Sequence, residues 1–161
     1  MENVNAELLS GIYKLSKTGI EAINTVLPKV ENSALREELT EQYNDYKKAS
    51  DESERALMSC GEEPKDINPF AKAVMWGSVQ LHTLADSKPD KIAEIMINGT
   101  TKGIIDLTKH MTTCSDALPE NLAYADSFIK NEQRHIDNLK AFLYTVSATS
   151  SGDISLIRAI S

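Results

Sequence analysis

The stretch Leu122–Leu143, LAYADSFIKNEQRHIDNLKAFL, decides the fold. Leu122, Ala125, Phe128, Ile129, Ile136, Leu139, Phe142 and Leu143 recur every three or four residues, so at about 100° per residue they line one face of an amphipathic helix. Val146 continues the stripe, and the predicted helix covers about 118–147. Glu132 falls near the centre of that apolar face, between Ile129 and Ile136, where a carboxylate without a partner is costly to bury. His135 follows three residues later on the same side. A carboxylate and an imidazole on an inward face need other helices to meet them.

Those helices can be read outward from this one. Before a turn around Ser115 and Asp116, the segment 89–113 carries Ile92, Met96, Gly99, Thr100, Gly103, Leu107, His110 and Cys114 on one side, with Ser87 and Pro89 as its start signal. Ile95, Ile97 and Ile105 lie elsewhere on its circumference, which predicts cover from more than one direction. Asn68 and Pro69 open a shorter helix bearing Phe70, Val74, Gly77, Leu81 and Leu84 and ending near Asp86. Its Met75, Trp76 and His82 lie off that stripe and form a candidate contact area. The segment from 33 to about 59 presents Leu35, Leu39, Gln42, Tyr43, Tyr46, Ala49, Ser53, Leu57 and Cys60, and Gly61 supplies a left-handed stop. Finally 4–30 carries Leu8, Ile12, Leu15, Gly19, Ile23 and Val26, with Pro28 in its last turn and a capped turn at Glu31-Asn32-Ser33.

The pattern is all-α: a bundle of four helices over residues 1–147, built as two antiparallel hairpins, with a short crossover helix between the second and third. The tail 148–161 begins Ser-rich and carries Ile154, Leu156, Ile157 and Ile160, so it reads as flexible or as docking on the bundle or a neighbouring subunit. The 161 residues suit one domain. The net charge is −7 and no basic block is present to neutralise a phosphate backbone, which argues against nucleic acid. No stretch approaches the ~20 apolar residues of a membrane span, and the first residues lack a signal-peptide run, so a cytoplasmic protein is expected. Cys60 and Cys114 show no zinc-motif spacing and are taken as reduced thiols.

Most carboxylates, Glu7, Glu21 and Glu41 among them, fall away from the apolar stripe of their helix and read as solvated charges. If the crossover returns the chain so that the hairpins align, the level of Glu132 and His135 matches Gly19, then Gln42, Tyr43 and Tyr46, then Gly99, Thr100 and Gly103. A polar layer results, with glycines that leave space around it. Either it is a hydrogen-bonded cluster that fixes helix register, or Glu132 and His135 hold a metal ion, or the layer takes a small molecule. At the far end His110 and Cys114, one turn apart, with Cys60 at similar depth, could bind zinc, although free cysteine is commonly buried as a small apolar residue. No phosphate loop or nucleophile elbow supports phosphoryl or acyl transfer.

Over residues 4–147 the pattern resembles the ferritin-like superfamily, in particular small bacterial four-helix proteins distantly related to rubrerythrins. The resemblance implies two metal ions held by an inward Glu from each of two helices and an E-x-x-H from each of the other two. Here Glu132 and His135 match one E-x-x-H; the corresponding places elsewhere hold Gly19, Gln42 or Tyr43 with Asp45 or Tyr46, and Thr100. These departures point to a non-catalytic bundle with a degenerate metal site, acting through protein contacts or as a homo-oligomer such as a dimer. The alternative is a metal-binding protein (iron, manganese or zinc) or metal-dependent oxidoreductase using Glu132 and His135. A second alternative is small-molecule binding in the polar layer.

Overall fold

Local capping chemistry sets where each helix begins. In the computed structural model of the chain, which describes residues 3–65 and 88–144, the first helix, α1 (Val4–Val26), opens at Asn3. The Asn3 side-chain oxygen accepts from the backbone N–H of Asn5 at 3.1 Å and of Ala6 at 3.4 Å. α1 stops short of the expected residue 30: Pro28 has no N–H for the α ladder, and Leu27–Lys29 tighten into a 3₁₀ turn. α2 (Ser33–Ser59) opens at Asn32, whose side chain accepts from Leu35 N at 2.9 Å, and is followed by Gly61 at φ +77°.

α3 (Pro89–Thr113) opens at Lys88, one residue later than the Ser87 signal, with Pro89 at the first helical position and no side-chain cap. α4 (Pro119–Lys140) is shorter than the predicted 118–147. Past Lys140 the bonds become i→i−3, from Ala141 to Asn138, Phe142 to Leu139 and Leu143 to Lys140, so the helix closes in a tight turn. Phe142 still packs on the core, whereas Leu143 is exposed.

Pairs of contacts fix the directions. Gly19 of α1 meets Tyr46 of α2, Asp45 and Ala49 of α2 meet Asn131 and Tyr124 of α4, and Gly11 and Leu15 of α1 meet His110 and Gly103 of α3. Each of these pairs runs antiparallel, and α1–α2 and α3–α4 are the most extensive packings. One core cluster draws residues from all four helices, including Leu8, Ile23, Leu39, Tyr46, Met96, Leu107, Phe128 and Leu139. A smaller cluster of Ala6, Leu9, Tyr13 and Leu57 covers a second side of α1. α1 is thus covered from two directions; on α3, Ile95 and Ile97 are partly buried against the core, while Ile105 is 49% exposed.

Among the described residues there is no strand, and no helix is long and apolar enough to cross a membrane. The expected crossover helix with its Met75, Trp76 and His82, and the tail 148–161, lie outside the described residues.

Candidate functional site

The inward face of α4 brings Glu132 and His135 into the bundle, 5% and 0% exposed. Glu132 Oε2 accepts a 2.6 Å hydrogen bond from the Tyr46 hydroxyl, and Tyr46 is itself sealed at 1% exposure. Burial pushes the Glu132 carboxyl up from 4.5 to about 8; the Tyr46 bond opposes this and the Asp45 charge adds to it. The Tyr46 phenol is likewise driven upward, first by burial and then by the Glu132 charge. At neutral pH the pair is a carboxylic acid against a phenol, two neutral groups sharing a hydrogen bond in the core.

His135 is held differently. Its Nδ1 lies 3.1 Å from Glu38 Oε1 and its Nε2 lies 2.9 Å from Asp45 Oδ2, so carboxylates of α2 grip the ring from both sides. With both carboxylates ionised, each contact is a hydrogen bond only if its ring nitrogen carries the proton. The carboxylates are held in turn. Glu38 accepts from Gln42 Nε2 at 2.9 Å and from Asn138 Nδ2 at 3.0 Å, and Asp45 accepts from Asn131 Nδ2 at 3.2 Å and Arg134 Nη2 at 2.8 Å. Arg134 reaches on to Glu41 at 2.8 Å on the exposed rim. The result is a graded ladder between α2 and α4, dry at Glu132 and wet at Arg134.

Of the residues expected in this layer, Tyr46 contacts Glu132 directly, Gln42 joins through Glu38, and Thr100 lies close enough to lower the Tyr46 phenol slightly. Tyr43 is only partly buried and packs on the core edge. Gln42 Oε1 and Thr100 Oγ1 are buried with no hydrogen-bond partner among the described residues. The space expected beside Gly19 is filled: a Cβ there would lie 2.5 Å from Tyr46 Cε2, so the glycine admits the ring. At Gly103 an added Cβ would come 3.4 Å from Leu15. Glu38 and Asp45 carry no signal in the α2 stripe itself. They flank it with Gln42 at i, i+4 and i+7, a line of polar side chains facing a neighbouring helix.

The metal pair implied by the resemblance requires imidazole lone pairs and several carboxylates converging on common points. Here Glu38 and Asp45 occupy opposite nitrogens of His135, Glu132 turns to Tyr46, and Gly19 and Thr100 contribute no anion. These residues do not fit such a pair.

A second cluster sits where α1 begins and α3 ends. Glu7, expected from its helix stripe to be a solvated charge, is half-buried there because its side of α1 faces α3, where Gly11, one turn on, meets Leu107 and His110. A carboxylate oxygen of Glu7, a ring nitrogen of His110 and the Cys114 sulfur all lie within 4.8 Å of one another. Cys60, expected at this depth, instead packs with Leu9, Tyr13 and Leu57.

Comparison of the chain with family models, with curated proteins and with solved structures finds no match.

Proposed function

We propose that the chain is a non-catalytic bundle of ferritin-like type with a degenerate di-metal site, which acts through contacts with a protein partner or with a second copy of itself as a dimer. The observation that carries this reading is the engagement of the E-x-x-H pair within the protein. His135 has both ring nitrogens taken by Glu38 and Asp45, and Glu132, raised to about 8, stays protonated against Tyr46 at neutral pH. Such groups clamp α2 to α4 in one register, an architectural use of buried polarity. The rival oxidoreductase reading needs Glu132 ionised and His135 with a free nitrogen.

The test is elemental analysis of protein purified anaerobically, with oxygen uptake after addition of ferrous iron and light scattering for mass. The expected result is no iron or manganese that depends on Glu132, no iron-stimulated oxygen uptake, and a defined dimer or a specific protein complex. Stoichiometric iron or manganese that disappears in Glu132→Ala would overturn the proposal. A second reading rests on the orphan oxygens of Gln42 and Thr100, which a small polar guest would satisfy. Stabilisation by such a guest, lost in Thr100→Val, would support it.

A further inference from the structure

The cluster at the end of the bundle differs in kind from the polar layer, because its three donors converge on one another and His110 Nδ1 is left without a hydrogen-bond partner among the described residues. We propose that Glu7, His110 and Cys114 form a binding site for one divalent transition-metal ion, with zinc the ion that this donor set selects. His110 and Cys114 stand at i and i+4 on the last turn of α3, so one helical face presents an imidazole and a sulfur together. Glu7 reaches them from α1. The frame around them is fixed: Cys114 N donates to the His110 carbonyl at 2.8 Å and Ala117 N to the Cys114 carbonyl at 2.9 Å. Asn5 Oδ1 accepts from Leu118 N at 2.7 Å and Asn121 Nδ2 at 2.9 Å, tying the start of α1 to the α3–α4 turn.

Two of the donors are poorly satisfied within the protein. His110 Nδ1 is buried with no hydrogen-bond partner among the described residues. Gly11, one turn after Glu7, leaves that face of the ring uncrowded, since even a Cβ there would stay 3.7 Å from Nδ1. Cys114 is sealed from solvent, though shallowly, and its thiol is pushed up by that burial and by the Glu7 carboxylate; the neighbouring Thr113 hydroxyl at 3.9 Å opposes the rise. A carboxylate beside a thiol is an arrangement that a divalent ion relieves. Binding displaces the Cys114 proton to solvent, after which a thiolate, a carboxylate and a neutral imidazole together cancel the charge of the ion.

The nitrogen, sulfur and oxygen donors disfavour magnesium and calcium and suit zinc, whose tetrahedral bonds of about 2.0–2.3 Å place ligand atoms roughly 3.5 Å apart. The three donor atoms already lie within 4.8 Å of one another. Three protein ligands leave a fourth position for water or a partner's side chain.

The full-length chain, reduced and stripped with a chelator, should be titrated with zinc and separately with cobalt(II). One equivalent should bind with a rise in melting temperature, and cobalt should give thiolate charge-transfer absorption together with tetrahedral visible bands. Glu7→Gln should weaken zinc by more than about 100-fold, beyond what losing an outer partner causes, and Cys114→Ser should weaken it further and abolish the charge transfer. Cys60→Ser and Glu132→Gln should bind as the parent does, which separates this site from the polar layer. Absence of the charge-transfer band in the parent would overturn the proposal, and so would its survival in Cys114→Ser. Circular dichroism of each variant checks folding, and Glu7→Gln alone decides the matter if Cys114→Ser fails to fold.

Discussion

Replacing Glu132 by Gln should flatten the dependence of stability on pH, and the structure fixes both sign and size. In the unfolded chain the carboxyl ionises near 4.5; in the folded protein, 5% exposed and bonded to Tyr46, it ionises at about 8. An acid whose folded value is raised takes up a proton on folding across that interval. Its contribution is therefore intact below about 4.5, declines as pH rises, and is lost once pH passes about 8. At about 1.4 kcal/mol per pH unit, the interval from 4.5 to about 8 corresponds to at most roughly 5 kcal/mol, less if water entry eases the charged form.

Glutamine keeps the shape and an oxygen for the Tyr46 hydroxyl but does not titrate in this range. Urea unfolding at half-unit steps from pH 5 to pH 9 gives the stability of each protein, with the m-value confirming a common unfolding transition. Parent stability minus variant stability should fall steadily up to about pH 8 and then level. A difference constant to within about 0.5 kcal/mol from pH 5 to pH 9 would refute the reasoning and show Glu132 to be ionised in the fold throughout that range.

His135→Ala should cost about 2–4 kcal/mol in the same unfolding assay, because it leaves Glu38 and Asp45 facing a void, whereas Arg134→Ala, which removes an exposed side chain, should cost no more than about 1 kcal/mol. Equal losses would contradict a clamp centred on the imidazole. Gly19→Ala should lower the urea midpoint: overpacking against Tyr46 costs about 1–3 kcal/mol, against a gain of about 1 kcal/mol in helix propensity, so a stabilised variant would mean that the ring can move aside. With metal removed, a chromogenic disulfide should modify half-buried Cys60 before Cys114, whose thiol is both covered and pushed up. Faster reaction at Cys114, mapped by peptide mass, would show that the end of α3 opens in solution.

Periodicity locates what lies on the centre of a stripe and misses what lies on its edges. Glu132 and His135 are readable because Ile129 and Ile136 bracket them on a face that must turn inward. Glu38 and Asp45 are not, because which edge of α2 meets α4 depends on how α2 is rotated about its own axis, and that is settled by packing between helices rather than by either helix alone. Glu7 escapes for a related reason. A single stripe through Leu8, Ile12 and Leu15 does not say that its edge, where Glu7 and Gly11 lie, packs against Leu107 and His110 of α3. The end of α1 at Val26 is signalled by Pro28, whereas the early closure of α4 has no residue of that kind to announce it.

The two polar clusters show how a bundle can hold buried charge in opposite ways. Between α2 and α4 the acceptors outnumber the donors until His135, Arg134, Asn131, Asn138 and Gln42 are counted, and then the named carboxylates are each satisfied by protein. Adding a cation there would require breaking those bonds first. Between α1 and α3 the count fails: a carboxylate, a raised thiol and a ring nitrogen of His110 converge, and His110 Nδ1 has no hydrogen-bond partner among the described residues. The E-x-x-H spacing that draws attention in the sequence thus belongs to the saturated cluster, and the metal site we propose lies about 20 residues away along the chain, where His110 and Cys114 stand one turn apart and the third donor is Glu7 rather than the Cys60 expected.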